Sequence, residues 1–127
     1  MKFSTILLIA SSALLLSCTS SKTAQSTIPE KYNSASNLTE YLTQVPGLMV
    51  SGEGANATFK VRGVNSFMSG SDPLFVLDGT PMMGGYKTVY NLVDVKDIKA
   101  AKLVRGSDAT FYGSRGSGGV VEIQTIK

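Results

Sequence analysis

The sequence predicts an α+β domain, a small mixed sheet carrying short helices. Three observations predict it. Residues 37–45 repeat apolar side chains at helical spacing behind a capping residue. Residues 57–63 alternate apolar and polar side chains, as a half-buried strand does. Residues 74–77 and 119–126 are apolar runs of strand length, the first followed by Asp-Gly and the second preceded by a cluster of glycines.

Each element has its own signal. Ser36 or Asn37 supplies a helix N-cap, and Glu40 is placed to complete a capping box. Leu38, Tyr41, Leu42 and Val45 fall on one helical face, and Pro46-Gly47 ends the helix. LMVSG, residues 48–52, is a short strand closed by Gly52. In ATFKVRG, Phe59 and Val61 take one side of a strand and Lys60 and Arg62 the other. The unbroken run LFVL at residues 74–77 reads as a strand buried on both faces. Asp78-Gly79 follows as a turn whose carboxylate accepts backbone N–H groups. LVDVKDI makes a single helical turn, and IKAAKLVRG a strand ending at Gly106. SDATFYG is a short helix with Ser107 or Asp108 as cap. GVVEIQTI is the last strand. Residues 52–57, 65–72 and 80–88 are left as loops, which places Met68, Met82 and Met83 at adaptable contact positions or in hairpin packing.

The first 36 residues read differently. MKFSTILLIASSALLLSC has a basic start at Lys2, an apolar stretch at 6–16 and a small residue, Ser17, before Cys18. That is the build of a signal peptide, residues 1–17, and its apolar stretch is shorter than the ~20 residues of a membrane-spanning helix. Leu15-Leu16-Ser17-Cys18 resembles the lipobox of bacterial lipoproteins, in which the cysteine becomes the acylated first residue. The plainer alternative is a signal peptide cut elsewhere, with Cys18 a small apolar residue. The lipobox reading implies an outer-membrane lipid anchor at Cys18 and a domain facing the periplasm. Residues 19–36, rich in Ser and Thr, make a flexible tether, so the expected division is 1–17, 18–36 and a folded domain at 37–127.

Composition removes whole classes of function. The chain has no histidine and one cysteine, so histidine triads, histidine metal sites and an intrachain disulfide are excluded. Without Lys2, 11 basic residues face 9 acidic ones. No Lys/Arg cluster gives nucleic acid an electrostatic footprint. GEGANA, residues 52–57, matches the dinucleotide pattern, but a strand follows it where the fingerprint requires a helix. GSRGSGG, residues 113–119, lacks the ending of a phosphate loop and also precedes a strand. Its glycines serve a sharp exit from the short helix, with Arg115 able to grip a carboxylate. Paired carboxylates and a calcium cadence are not visible. The expectation is a protein without catalytic residues and without a cofactor.

The pieces together carry more than any one alone. LTQVPGLMVSG, FKVRGVNSF, DPLFVLDGTPM and DVKDIKAAKLVRGSDATFYGSRGSGGVVEIQT follow in order. In this order they resemble the plug domain of TonB-dependent outer-membrane receptors, in particular the SusC-like branch of the Bacteroidetes, over about residues 37–126. The motif positions are Pro46, Gly47, Arg62, Gly63, Asp78, Gly79, Asp97, Ile98, Arg105, Gly106, Tyr112, Gly113, Ser114, Arg115 and Gly116. The resemblance implies packing and plug–barrel contacts for these residues, with Arg62 and Arg115 turned toward a barrel wall, and no catalytic role. It implies an outer-membrane β-barrel, or another envelope protein, as partner. A barrel of ~22 strands needs several hundred residues beyond Lys127. The expectation is therefore a lipid-anchored plug module, with a plug acting in trans or a receptor fragment as one alternative. A periplasmic binder of a sugar or iron chelate is another, using loops 52–57, 65–72 and 80–88 with Asn56, Asn65, Ser66 and Tyr86. The ordinary alternative for those loops is polar surface.

Overall fold

The computed structural model describes residues 34–64 and 72–126. Cys18, the expected signal peptide, the tether as far as residue 33, Asn65, Ser66 and Met68 lie outside these residues.

The chain opens with helix α1 (Leu38–Thr43). Asn37 is its cap: Glu40 N–H donates to Asn37 Oδ1 at 2.9 Å, and Ser36 N–H donates back to Glu40 Oε2 at 2.7 Å. The expected cap is thus present and satisfies one donor of the first helical turn, while Glu40 reaches one residue past the cap, to Ser36, and does not close the reciprocal bond of a capping box. Leu38, Tyr41 and Leu42 of α1 are buried, as is Val45 just beyond it.

Strands β1 (Leu48–Ser51) and β2 (Thr58–Val61) form an antiparallel hairpin, Leu48 opposite Val61. Their connection contains a 3₁₀ turn, Gly54–Asn56, so GEGANA is a hairpin loop. The alternation in β2 holds, with Phe59 and Val61 buried and Thr58 and Lys60 exposed.

The second sheet has four strands: β3 (Leu74–Leu77), β4 (Thr80–Pro81), β5 (Ile98–Val104) and β6 (Val120–Thr125). Their order is β4-β3-β6-β5. β6 runs parallel to β3 and antiparallel to β5, so the sheet is mixed. A register shift between Ile98 and Ala100 marks a bulge at the start of β5.

Both faces of this sheet are covered, as the apolar run of β3 predicts. On one face lies the main core, where Leu42, Phe59, Phe75, Val89, Val121 and Ile123 meet. Phe59, Phe75 and Tyr86 stack there at centroid distances of 4.3 to 5.4 Å. On the other face Val76, Val104, Ala109 and Val120 form a smaller core. Phe75 and its neighbour Val76 thus serve opposite faces, as strand geometry requires.

Three expectations need correction. Residues 80–88, read as a loop, hold β4 and the start of helix α2 (Gly85–Leu92). That helix opens behind Gly84 at φ 103° with no side-chain cap, so the usual start signals are missing. Neither Ser107 nor Asp108 caps a helix: a 3₁₀ segment, Gly106–Gly118, begins directly after Arg105, which makes no side-chain cap. That segment also continues past Gly113, where it kinks, and carries the chain as far as the last strand. The expected turn at LVDVKDI is present as a 3₁₀ turn, Val95–Asp97, capped by Asp94.

Candidate functional site

The motif residues gather at two ends of the sheet and along the 3₁₀ segment that covers it. At one corner, Gly47 C=O accepts the Arg62 N–H at 2.9 Å. Arg105 Nη1 donates to Arg62 C=O at 3.2 Å. The Arg62 and Arg105 side chains are exposed, and neither has an acidic partner among the described residues. Pro46-Gly47, Arg62-Gly63 and Arg105-Gly106 therefore meet here, although Arg62 and Arg105 are 43 residues apart.

Asp78-Gly79 sits at the opposite end, beyond the pairing of Leu77 with Ile123. Asp78 has φ 47°, in the left-handed region that few residues other than glycine adopt. Its carboxylate holds it there: Thr125 N–H donates to Oδ1 at 2.9 Å and Thr125 Oγ1–H to Oδ2 at 2.7 Å. The expected turn is present, but its carboxylate accepts from Thr125 on β6, 47 residues away.

The glycine-rich run is a packing device. A Cβ on Gly116 would collide with the Ala109 backbone carbonyl, and one on Gly119 would lie 2.9 Å from Val61 Cγ2. Gly119 also has φ 96°. The chain therefore closes on itself at Gly116 and against the β1–β2 hairpin at Gly119. Arg115 is exposed and lies against a neighbouring loop, its Nη1 2.9 Å from Met83 Sδ.

The other tie between this segment and the sheet is polar. Tyr112 O–H donates to Glu122 Oε1 at 2.6 Å, and Lys102 Nζ pairs with Glu122 Oε2 at 2.7 Å. The hydrogen bond to the Glu122 carboxylate, assisted by burial and by the negative charge itself, pushes the Tyr112 hydroxyl up to about 12. Burial alone would raise the Glu122 carboxyl, but its hydrogen bonds from Lys102 and Tyr112 outweigh that and hold it below its ordinary value. Tyr112 and Glu122, with Asp78, Lys99, Gln124 and Thr125, border a hollow of about 360 Å³ on the second face of the sheet. Sequence reasoning missed Glu122 and Lys102. The available signal was the single acid inside VVEIQ, which the register places opposite Lys102.

The loops expected to bind a polar ligand come together only in part. Asn56, Thr58, Asp72, Gly84 and Lys87 border a groove of about 190 Å³ over Phe59 and Phe75. Tyr86 is not offered to a ligand as expected. It is 6% exposed, and its hydroxyl is 2.7 Å from Thr39 Oγ1 inside the core.

A mixed sheet buried on both faces, closed by a glycine-rich 3₁₀ segment with arginines outside, is the build of a plug domain. The profile of the TonB-dependent Receptor Plug Domain matches residues 19–120, and the chain belongs to that family. It is 37% identical over 73 residues to TonB-dependent receptor P26 of Formosa agariphila, an alignment covering 57% of this chain and 7% of that protein. It is 34% identical over 79 residues to TonB-dependent receptor SusC of Bacteroides thetaiotaomicron, covering 58% of this chain and 8% of that protein. Among solved structures, the siderophore receptor PirA from Acinetobacter baumannii superimposes with a TM-score of 0.60 at 25% identity, over 83% of this chain and 17% of that one. The SusC-like resemblance and the α+β plug fold read from the sequence are thus both met. The chain spans well under a fifth of the length of each of these relatives.

Proposed function

We propose that the chain is a non-catalytic plug module of an outer-membrane uptake system. Its partner is an outer-membrane β-barrel, and lipid on Cys18 holds it at the membrane, facing the periplasm. The observation that carries the partner is the corner at Arg62 and Arg105. Arg105 Nη1 reaches the Arg62 backbone, so two exposed cationic residues share this corner without a carboxylate among the described residues, and a planar guanidinium pairs best with a carboxylate from outside the domain. A barrel wall bearing acidic side chains meets that need, and family membership supports such a wall as the neighbour. The sequence Leu15-Leu16-Ser17-Cys18 supports the anchor.

The test is affinity purification of the full chain from detergent-solubilised outer membranes, with mass spectrometry of the bound protein. A β-barrel receptor is the expected companion. The double variant R62E/R105E, with an unchanged thermal midpoint, is expected to lower its recovery at least roughly tenfold, because breaking a desolvated charge pair costs ~2–5 kcal/mol. Barrel sequence in the same polypeptide identifies a receptor module, and barrel sequence in a second polypeptide a plug acting in trans. Failure to recover any barrel, or undiminished recovery with the double variant, overturns the reading. Mass spectrometry of the mature N-terminus checks the anchor, expected as an acylated Cys18.

A second reading rests on the groove beside Asn56, Thr58 and Lys87, where hydrogen-bonding groups ring an aromatic floor. This is where a small polar ligand such as a sugar or an iron chelate would bind. Thermal-shift screening tests it, since a ligand at 100 times its Kd adds ~2.7 kcal/mol.

A further inference from the structure

One contact across the surface joins an unequal pair. Arg115 Nη1 donates to Met83 Sδ at 2.9 Å, linking the 3₁₀ segment to the turn before α2 across 32 residues. A guanidinium is a strong, permanently charged donor, and a thioether sulfur is a weak acceptor. Both side chains are exposed, Met83 at 69%.

The two residues are held in place by their backbones. Met82 N–H donates to Phe75 C=O at 2.9 Å, and Thr88 Oγ1–H donates to Met83 C=O at 3.3 Å. Met82 packs its side chain against the main core, whereas Met83 is turned to solvent. Arg115 stands on the arm of the 3₁₀ segment beyond the kink at Gly113, and its neighbour Gly116 is packed against the Ala109 carbonyl. The Met83 sulfur is thus open to small reagents in water and already in contact with a cation.

We propose that Met83 is a modification site, where hydrogen peroxide oxidises the sulfur to the sulfoxide and Arg115 binds the new oxygen. In that step a sulfur lone pair attacks one peroxide oxygen. The S–O bond forms, the O–O bond breaks, and the departing oxygen leaves as water carrying both protons. Sulfur is oxidised by two electrons and the peroxide is reduced by two. The sulfoxide oxygen is a far better acceptor than the thioether, so the N–H···S contact becomes a charge-assisted N–H···O bond. Sulfoxide formation in a core disrupts packing, but at Met83 the sulfur already faces water. Oxidation therefore tightens the tie between the 3₁₀ segment and the turn before α2, and methionine sulfoxide reductases restore the original contact.

The experiment treats the full chain with hydrogen peroxide and locates the added oxygen by peptide mass spectrometry. It then follows the Arg115 guanidinium by ¹⁵N-correlated NMR and the urea midpoint, in wild type, Met83→Leu and Arg115→Ala. Met83 is expected to oxidise before Met82. The Arg115 guanidinium signal is expected to shift on oxidation of wild type and to stay in place in Met83→Leu. The urea midpoint is expected to rise on oxidation of wild type and not in either variant. Met49, 48% exposed on β1, oxidises in all three proteins, so the variants cancel its share. Oxidation of Met82 ahead of Met83, an unmoved Arg115 signal with Met83 fully oxidised, a midpoint that does not rise, or the same rise in Arg115→Ala overturns the proposal. The wild-type Arg115 signal decides the matter even where a variant fails to fold.

Discussion

Tyr112 and Glu122 tie the 3₁₀ segment to the sheet through one short hydrogen bond, and both groups titrate. The Glu122 carboxyl lies below its ordinary value, so its contribution is present above the usual carboxylate range and is lost as pH falls through the folded value. Tyr112 behaves oppositely. Raised from 10.0 to about 12, it contributes stability below pH 10 and loses it as pH climbs from 10 to 12. Tyr112→Phe is therefore expected to shrink the alkaline fall in urea midpoints measured between pH 9 and 12, leaving the part due to buried Tyr41 and Tyr86. At neutral pH it should cost about 1 kcal/mol, at the low end for a bond to a charged group because the site is partly open to water. At Asp78 the backbone at φ 47° and the two bonds from Thr125 act together. Asp78→Ala keeps the strained angle and loses the bonds, with an expected loss of ~2 kcal/mol. Asp78→Gly loses the same bonds but relaxes the angle, so its melting temperature should lie above that of the alanine variant. The turn at Asp78-Gly79 was legible in the sequence because its backbone chemistry is local, but the carboxylate's partner, Thr125, lies 47 residues away and was not. The meeting of Arg62 with Arg105 was not either, since nothing in either neighbourhood encodes a contact 43 residues away. Tyr86 was misread for a related reason: its type suits a ligand as well as it suits a core, and only packing settles which way it turns.

Elements with chemical start signals were the legible ones. α1 announces itself through Asn37 and Glu40, and Asn37→Ala is expected to cost about 1 kcal/mol by circular dichroism melts. α2 opens on Gly84-Gly85, which reads as a turn, and it owes its helical state to Tyr86 and Val89 buried against the sheet. The 3₁₀ segment was half legible. Its glycines were rightly read as structural, yet the collision that requires Gly116 comes from Ala109 seven residues earlier, a closure visible only in three dimensions. Gly116→Ala is expected to cost several kcal/mol, on the order of an overpacked core site, because backbone and not a flexible side chain must move. A denaturation series that places Gly116→Ala within 0.5 kcal/mol of wild type, the usual spread for a neutral surface change, would refute that assignment.

At the scale of the whole molecule, one sheet separates a larger core from a smaller one, and the alternation of Phe75 and Val76 along β3 serves both. The apolar run at 74–77 foretold a strand enclosed on two sides, but which segments enclose it depends on topology. Strand order is not local information either: β6, the last strand in sequence, inserts between β3 and β5 and supplies pairing partners to both. A chain ending at Gly119 is therefore expected to show no cooperative unfolding transition in urea, having lost Val120, Val121 and Ile123 from the two cores.

Because β6 is an inner strand and also the last of the described strands to be synthesised, nearly the whole domain leaves the ribosome before β3 and β5 have the strand that joins them. The mixed sheet therefore closes only once residues 120–125 have followed, and the joining of β3 to β5 waits on them.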